Sequence, residues 1–266
     1  MTKEVAAVRP ASTMLLLRDG NEGMEVFMVV RHHQIEFASG ALVFPGGSID
    51  ADDHAVAATP AFFSGGAGLD AAALAFRVGA ARETFEECGI LLAREKGSQQ
   101  LVSAARADQV AAAHRAALNE NKRKFSEILS AESLVLALDL LVPYAHWITP
   151  VGMPKRFDTH FYLAVAPADQ VGAHDGSESV DSVWVQPGAA VDGAKTGKFK
   201  LVFATERNLI KLARHASTAA TLAAAGKEPV VTVLPEVTRN ETGRQLRIPE
   251  NAGYDGHVFD MGEIKG

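Results

Sequence analysis

Short apolar runs separated by turn residues organise the N-terminal part of the chain. Residues 11–18 and 24–31 are largely apolar and flank a polar turn with two glycines, so they predict a β-hairpin. Residues 41–44 form a shorter apolar run that stops at Pro45, which predicts a third strand. The chain therefore begins with segments that form a sheet.

Helical periodicity follows after an interruption. The segment 54–69 contains one proline and three glycines, which predicts a loop. Asp70 is a suitable N-cap for a helix over residues 71–88, and Gly89 is a suitable residue to end it. Three further helices are predicted by apolar periodicity over residues 106–119, 123–140 and 204–225.

The C-terminal half mixes strands with these helices. Residues 156–165, 181–185 and 229–234 predict strands, and the glycine-rich segment 251–257 predicts irregular structure. The elements do not alternate strictly between strand and helix. We therefore expect an α/β fold with a mixed β-sheet and helices on its faces.

Composition narrows the class of protein. The 266 residues suit a single domain over 1–266, and a hydrophobic content of 47% is enough for a large core. The net charge of −6 and the lack of a basic cluster argue against a nucleic-acid partner. No apolar run is long enough for a membrane helix, and the N-terminus does not resemble a signal peptide. With Cys88 as its single cysteine, the chain is expected to be cytoplasmic.

Three carboxylates near the end of the predicted 71–88 helix are the strongest chemical signal. Glu83, Glu86 and Glu87 share one helix face, where they repel one another unless a cation lies among them. A hard divalent ion such as Mg²⁺ would relieve that repulsion, whereas a solvated acidic face is the alternative. Arg82 can orient a carboxylate, and the helix C-terminus disfavours negative charge, so both features favour metal binding.

Two segments together resemble a known catalytic motif. The turn at Gly46 and Gly47 is followed by Asp53, and the later segment reads Arg-Glu-x-x-Glu-Glu-x-Gly from Arg82 onwards. This pattern resembles the box of the Nudix hydrolases, a loop–helix–loop that binds metal and diphosphate. Asp53 replaces the usual glutamate, and the 28 residues between it and Arg82 exceed the family spacing. The box is therefore expected to contain an insertion at about 54–69.

The enlarged box indicates a subgroup of the family. Trp147-Ile-Thr-Pro and Arg156-Phe-Asp-Thr, with the two box segments, resemble the subgroup that contains the mammalian peroxisomal coenzyme A diphosphatase. The resemblance implies a Nudix-type α/β/α sandwich, here with a helical insertion at about 104–141. That insertion covers the sheet, docks a partner protein or builds a homodimer, and the sequence leaves these alternatives open.

The resemblance also implies an activity. It points to Mg²⁺- or Mn²⁺-dependent hydrolysis of a small-molecule substrate that contains a nucleoside-linked diphosphate. Coenzyme A (CoA) or an acyl-CoA, cleaved to (acyl)phosphopantetheine and 3′,5′-ADP, is the leading expectation. The alternatives are a pyrophosphatase for ADP-ribose or dinucleotides, and a catalytically weak module that senses a nucleotide.

Site residues follow from the same resemblance. The catalytic set comprises Glu83, Glu86, Glu87 and Arg82, with Arg82 as a structural partner of the carboxylates, and the metal ligands are the three glutamates and Gly47 through its carbonyl oxygen. The general base and the number of metal ions stay open. The expected substrate-binding residues are Arg156, Asp158, Arg31, Trp147, Gly46 and Gly47.

Each of these substrate contacts has a structural alternative. Arg156 and Asp158 could form a surface ion pair at the start of a strand. Trp147 could be a core residue, and Arg31 could belong to a polar loop.

Overall fold

The computed structural model describes residues 6–32, 38–174, 176, 179–240 and 243–261. Its α-helices are α1 (Ala51–Ala57), α2 (Ala71–Cys88), α3 (Ala104–Asn119), α4 (Phe125–Ala131), α5 (Pro187–Lys195), α6 (Phe203–Leu212) and α7 (Thr218–Ala225). Its strands are β1 (Val8–Gly20), β2 (Gly23–Arg31), β3 (Leu42–Val43), β4 (Gly46–Ser48), β5 (Phe63–Ser64), β6 (Ala93–Glu95), β7 (Leu134–Ala137), β8 (Val142–Ile148), β9 (Arg156–Val165), β10 (Ser179–Val185), β11 (Thr232–Val233), β12 (Glu236–Asn240), β13 (Gly243–Arg247) and β14 (Val258–Asp260).

A mixed sheet forms the centre of the molecule. Its strand order is β10-β2-β1-β9-β8-β11, while β3 pairs with β2 and β4 pairs with β1. The long strand β1 runs parallel to β9 over ten residue pairs, from Val8 opposite Arg156 to Leu17 opposite Val165. On its other edge β1 pairs with β4 near its start and with β2 near its end. The predicted hairpin and the predicted strand 156–165 are both confirmed.

The two faces of this sheet are covered by different helices. Side chains alternate between faces along a strand, so Met14 and Leu16 lie on one face of β1 and Leu15 and Leu17 on the other. The first pair packs in a core with α1 to α4, and the second packs in a core with α5 to α7. This arrangement is an α/β/α sandwich, as the sequence predicted.

Helix α2 carries the acidic motif, and its ends are fixed as predicted. The Asp70 side chain accepts a hydrogen bond from the Ala73 N–H at 2.8 Å, which caps the first turn. Gly89 ends the helix with φ of 72°, in the left-handed region, and its N–H donates to the Phe85 carbonyl. Phe85 is fully buried in the core, so the register of the acidic residues on α2 is fixed by packing.

Two small sheets flank the central one. In the sheet β5-β7-β6, Arg94 binds the carboxylate of Asp139 through two nitrogens, at 2.6 and 2.8 Å. In the sheet β12-β13-β14, the antiparallel hairpin of β12 and β13 lies near the end of the chain. Among the described residues, no helix combines the length and apolar character that crossing a membrane requires.

Three predicted elements differ from the structure. Residues 54–69 were expected to be a loop, yet they contain the end of α1, a 3₁₀ turn and β5. The helix expected over 123–140 ends at Ala131, because Ser133 adopts a left-handed conformation and β7 follows. The helix expected over 204–225 is interrupted, and Ser217 caps a new helix, α7. Whether 54–69 and 104–141 are insertions within one domain stays a prediction.

Replacing Gly89 by alanine tests the end of α2. We expect Gly89→Ala to lower the free energy of unfolding by about 1–2 kcal/mol, because an L-residue with a Cβ is strained in the left-handed region. Urea unfolding measures the change. Gly188→Ala is the matched control, because Gly188 lies in α5 without a positive φ and its added Cβ would meet nothing within 4 Å. Equal unfolding free energies for the Gly89 variant and the wild type would contradict this account of the helix end.

Candidate active site

A cavity of about 830 Å³ lies beside the C-terminal half of α2. One part of its wall is acidic and is formed by Asp50, Glu83, Glu86 and Glu87. Another part carries cationic side chains, namely those of Arg9, Arg31, Lys155 and Arg244. Much of the rest is apolar and includes Phe44, Leu118, Met153, Phe157, Val202, Phe203, Val237, Leu246 and Met261. The cavity therefore combines acid, base and apolar surface in one place.

Arg82 organises the acidic wall from beneath. Its buried guanidinium binds both oxygens of Asp53, through Nε at 2.8 Å and through Nη2 at 2.9 Å. Nη1 donates to Glu83 at 2.9 Å and to Glu86 at 2.7 Å, and Nη2 also donates to the Ser48 carbonyl at 2.9 Å. One side chain thus fixes two glutamates of α2 relative to β4 and α1.

Asp53 is buried at the start of α1 and has a second function there. Its carboxylate accepts the Asp50 N–H at 3.0 Å, while the Asp50 carboxylate accepts the Asp53 N–H at 2.9 Å. This reciprocal capping box begins α1 immediately after β4. Asp53 consequently ties the helix start to the Arg82 guanidinium.

The glycine turn lies directly against the glutamates. The Gly46 N–H donates to Glu87 Oε2 at 3.1 Å. A Cβ atom on Gly47 would lie 2.4 Å from Glu83 Oε1, so a side chain at this position would displace that carboxylate. A side chain at position 47 would therefore disturb the hydrogen bond between Glu83 and Arg82.

Burial disfavours the ionised forms of two glutamates in the acidic wall. Burial raises the pKa of Glu83 to about 8, although Arg82 acts in the opposite direction. Burial likewise raises the pKa of Glu86 to about 7, against the same influence of Arg82, while Asp53 and Asp50 add to the increase. Burial lowers the pKa of Arg82, but the bond to Asp53 and the charge of Glu83 outweigh it, so the guanidinium stays charged. A further cation at the cavity face would stabilise the ionised carboxylates.

A family model described as the NUDT19 Nudix domain matches residues 63–204, which is more than half of the chain. The chain belongs to the Nudix hydrolase family. The model match includes α2 and its three glutamates. The segment from Gly46 to Asp53 lies before the matched region and joins the site through the contacts of Arg82 and Glu87.

Individual relatives support the same assignment. The putative nudix hydrolase 7 of Caenorhabditis elegans is 30% identical over 176 residues, covering 66% of this chain and 51% of that protein. The acyl-coenzyme A diphosphatase NUDT19 of Xenopus laevis is 26% identical over 211 residues, covering 65% of this chain and 56% of that protein. The chain spans about half the length of these curated relatives.

A solved structure supports the fold. The crystal structure of a NUDIX hydrolase from Alicyclobacillus acidocaldarius is 28% identical to the chain, with a TM-score of 0.66. The similarity covers 82% of this chain and 96% of that one. The sandwich described above is therefore the Nudix fold.

Nudix hydrolases generally use divalent metal ions, and the residues of this box fit such an ion. Glu83, Glu86 and Glu87 offer only carboxylate oxygens, the ligands that hard cations prefer. Gly47 lies against Glu83 and adds no side chain between the carboxylates and the cavity. In the described residues the three carboxylates are held by Arg82 and Gly46, and they do not converge on one point as tightly as a formed ligand set.

Arg31 and Trp147, two predicted substrate residues, border the cavity. Arg31 stands at the end of β2, and its Nε is buried without a hydrogen-bond partner in the described part of the chain. Trp147 is largely buried, and its Nε1 donates to the Tyr254 hydroxyl at 2.7 Å. Its ring also packs edge-on against Phe203, so Trp147 is mainly a wall of the core with one side toward the cavity.

Contrary to expectation, the structure does not bring Arg156 and Asp158 into the cavity. Alternation along β9 points Phe157 and Thr159 into the cavity and turns their neighbours to the other face. The Arg156 guanidinium is buried and donates to the Thr149 carbonyl at 3.0 Å. Asp158 contacts His146 instead. The sequence placed Arg156 and Asp158 on the correct strand, but their side chains lie on the face of β9 opposite the cavity.

Arg244 and Arg9 are among the cavity cations that lay outside the predicted site residues. Arg244 is on β13, far from the Nudix box in sequence, and its Nε is buried without a hydrogen-bond partner among the described residues. Arg9 is at the start of β1. No motif marks either residue, because tertiary folding alone brings these strands to the cavity.

The raised carboxylate pKa values predict how metal binding depends on pH. Glu86 and Glu83 have pKa values of about 7 and 8, above the ordinary value of 4.5, so their ionisation weakens the metal-free fold as pH rises from about 4.5 to 8. Mg²⁺ binds the ionised forms. We therefore expect Mg²⁺ to raise the melting temperature more at about pH 9 than at about pH 6.

Thermal melts with and without Mg²⁺ at both pH values measure this difference. The variant Glu83→Gln/Glu86→Gln is the control, because it lacks both titrating groups and should lose most of the pH dependence. An equal Mg²⁺-induced shift at the two pH values in the wild type would contradict the assignment.

Proposed function

We propose that the chain is a Mg²⁺- or Mn²⁺-dependent diphosphatase that hydrolyses CoA or an acyl-CoA. A water oxygen attacks one phosphorus atom, the bridging P–O bond breaks, and the products are 3′,5′-ADP and (acyl)phosphopantetheine. The observation that carries the proposal is the composition of the cavity, which is lined by acidic, cationic and apolar side chains together.

The acidic wall suits the reacting diphosphate. A divalent ion held by Glu83, Glu86 and Glu87 would neutralise diphosphate charge and lower the pKa of the attacking water. Arg82 keeps Glu83 and Glu86 in place from the buried side, and the Gly46 N–H orients Glu87. Arg82 therefore acts as a positioning residue, since its guanidinium is already engaged by Asp53 and the Ser48 carbonyl.

The cationic and apolar walls favour a CoA species. CoA carries a 3′-phosphate in addition to its diphosphate, and Arg9, Arg31, Lys155 and Arg244 can meet this extra negative charge. The apolar wall around Phe203, Val237, Leu246 and Met261 can cover the pantetheine arm or an acyl chain. Relatives named acyl-coenzyme A diphosphatase support the same substrate class.

A substrate panel with glutamate variants tests the activity. Wild-type protein with Mg²⁺ or Mn²⁺ is expected to cleave CoA or an acyl-CoA faster than ADP-ribose, NADH or dinucleoside polyphosphates, as measured by chromatography of the products. Glu86→Gln or Glu87→Gln should reduce kcat by about 10²-fold or more without unfolding the protein.

Glu25→Gln is the matched control for the glutamate variants. Glu25 pairs with Arg18 on the β1–β2 hairpin and does not line the cavity. Its variant should keep wild-type kcat. Preference for ADP-ribose over every CoA species would overturn the substrate proposal. Near-normal turnover by both Glu86→Gln and Glu87→Gln would overturn the metal-site assignment.

Arg244 provides a separate test of substrate recognition. Arg244→Gln should raise KM for CoA by about 10-fold or more, because a charge-assisted hydrogen bond to phosphate is worth about 1.5–3 kcal/mol. If this phosphate is the 3′ group, the increase should disappear with dephospho-CoA. Arg239→Gln is the control, since Arg239 lies opposite Arg244 in the same hairpin but is exposed and outside the cavity. An unchanged KM in the Arg244 variant would remove this residue from the substrate site.

A further inference from the structure

A cluster of two histidines and one aspartate lies across three neighbouring strands. His160 on β9 is opposite His146 on β8, and His146 is opposite Thr232 on β11. Asp158 is two residues before His160 and therefore projects to the same face of β9. The pairing register brings four polar side chains together from three separate stretches of sequence.

Potential metal-binding atoms of this cluster lie close together. One such atom from each of His146, Asp158 and His160 lies within 4.8 Å of the others, and the described residues contain no second group of this kind. His146 Nε2 contacts an oxygen of Asp158, and His160 Nε2 is 4.0 Å from the same oxygen. The two imidazole rings stack with their centroids 4.0 Å apart.

The second nitrogen of His146 is held from the opposite side. Its Nδ1 lies 2.8 Å from the Thr232 hydroxyl. Such a contact on one ring nitrogen fixes the orientation of a metal-binding histidine and leaves the other nitrogen for the ion. The Thr232 contact therefore aims His146 Nε2 toward Asp158 and His160.

This cluster is separate from the Nudix box. Phe157 and Thr159 point into the cavity. Side chains alternate along β9, so Asp158 and His160 face the other side of the strand. The His160 ring packs 4.1 Å from the ring of Phe76, near the start of α2. Phe76 precedes Glu83 to Glu87 by seven to eleven residues, which is about 10–16 Å along a helix.

The types of ligand atom suit one divalent transition-metal cation. Asp158 supplies a single negative charge, while the Arg77 guanidinium lies over the Tyr162 ring, 5.1 Å from its centroid, and its positive charge also acts on His160. The three ligand side chains are partly exposed, so an ion can reach them. Two imidazoles and one carboxylate favour Zn²⁺ and similar transition metals, whereas Mg²⁺ prefers a set of oxygen ligands.

We propose that His146, His160 and Asp158 form a second metal site, selective for Zn²⁺ over Mg²⁺. Tetrahedral zinc with ligand distances of about 2.0–2.2 Å holds its ligand atoms roughly 3.3–3.5 Å apart. His160 Nε2, now 4.0 Å from the Asp158 oxygen, must therefore move closer to it, while His146 Nε2 and that oxygen must separate, and small side-chain rotations can supply both changes. The bound ion cross-links β8 and β9 on the face opposite the cavity. A fourth position stays open for water. This site does not depend on the substrate proposed above.

Calorimetry on the chelator-treated 266-residue chain tests the site with Zn²⁺ as the probe. We use the Glu83→Gln/Glu86→Gln/Glu87→Gln background, so that the box carboxylates do not contribute. One Zn²⁺ ion is expected to bind with micromolar or tighter affinity and to raise the melting temperature. His146→Ala, His160→Ala and the nearly isosteric Asp158→Asn should each weaken binding at least about 10-fold.

His54→Ala is the matched control, because His54 is exposed on α1 and outside the cluster. X-ray absorption of the zinc-loaded protein, which needs no variant at the cluster, should show two imidazole ligands. The variant His160→Ala in the otherwise wild-type chain should keep its Mg²⁺-dependent hydrolysis, because this site is separate from the catalytic one. Undiminished Zn²⁺ affinity in the three cluster variants, or zinc coordinated without imidazole, would overturn the proposal.

Discussion

The buried pairing of Arg82 with Asp53 is the interaction on which the active-site geometry depends. It joins α2 to the start of α1, and the same guanidinium holds Glu83, Glu86 and the Ser48 carbonyl of β4. Removing one partner of a buried ion pair typically costs about 3–5 kcal/mol, because the remaining charge stays buried without compensation. The pairing therefore joins the two halves of the Nudix box although 28 residues of sequence separate them.

This pairing also explains why Arg82 and the glutamates have different roles in the site. Arg82 neutralises part of the carboxylate charge from the buried side, but burial still keeps the pKa values of Glu83 and Glu86 near 8 and 7. Both carboxylates line the cavity, where a bound divalent ion would favour their ionised forms. The same cavity is also lined by the cations Arg9, Arg31, Lys155 and Arg244.

The sequence predicts an element well where local signals agree. Helix α2 has an N-cap at Asp70 and a left-handed glycine at Gly89, and β9 is a continuous strand in the predicted range. Local signals failed where tertiary contacts decide. Glycines and a proline suggested a loop over 54–69, but Phe63 and Ser64 form β5 by pairing with the distant strand β7. The periodicity after Phe125 suggested a long helix, yet the chain turns at Ser133 and pairs as β7.

The site was predictable to the same extent. The Nudix box could be recognised because its residues recur at fixed spacing along one helix, with a glycine turn before it. The phase of β9 could not be derived, so Arg156 and Asp158 were assigned to the cavity although Phe157 and Thr159 face it. Arg244 and the His146–Asp158–His160 cluster depend on strand pairing between distant segments, and no local pattern encodes that pairing.

The central claim is that the carboxylates positioned by Arg82 bind the catalytic metal ion. A crystal soaked with Mn²⁺, with diffraction data collected above the manganese absorption edge, tests it most directly, because an anomalous difference map locates the ion independently of activity. Our account predicts a manganese peak in the cavity, coordinated by oxygens of Glu83, Glu86 and Glu87. Manganese bound by none of these three glutamates, in crystals of protein that hydrolyses its substrate with Mn²⁺, would contradict it.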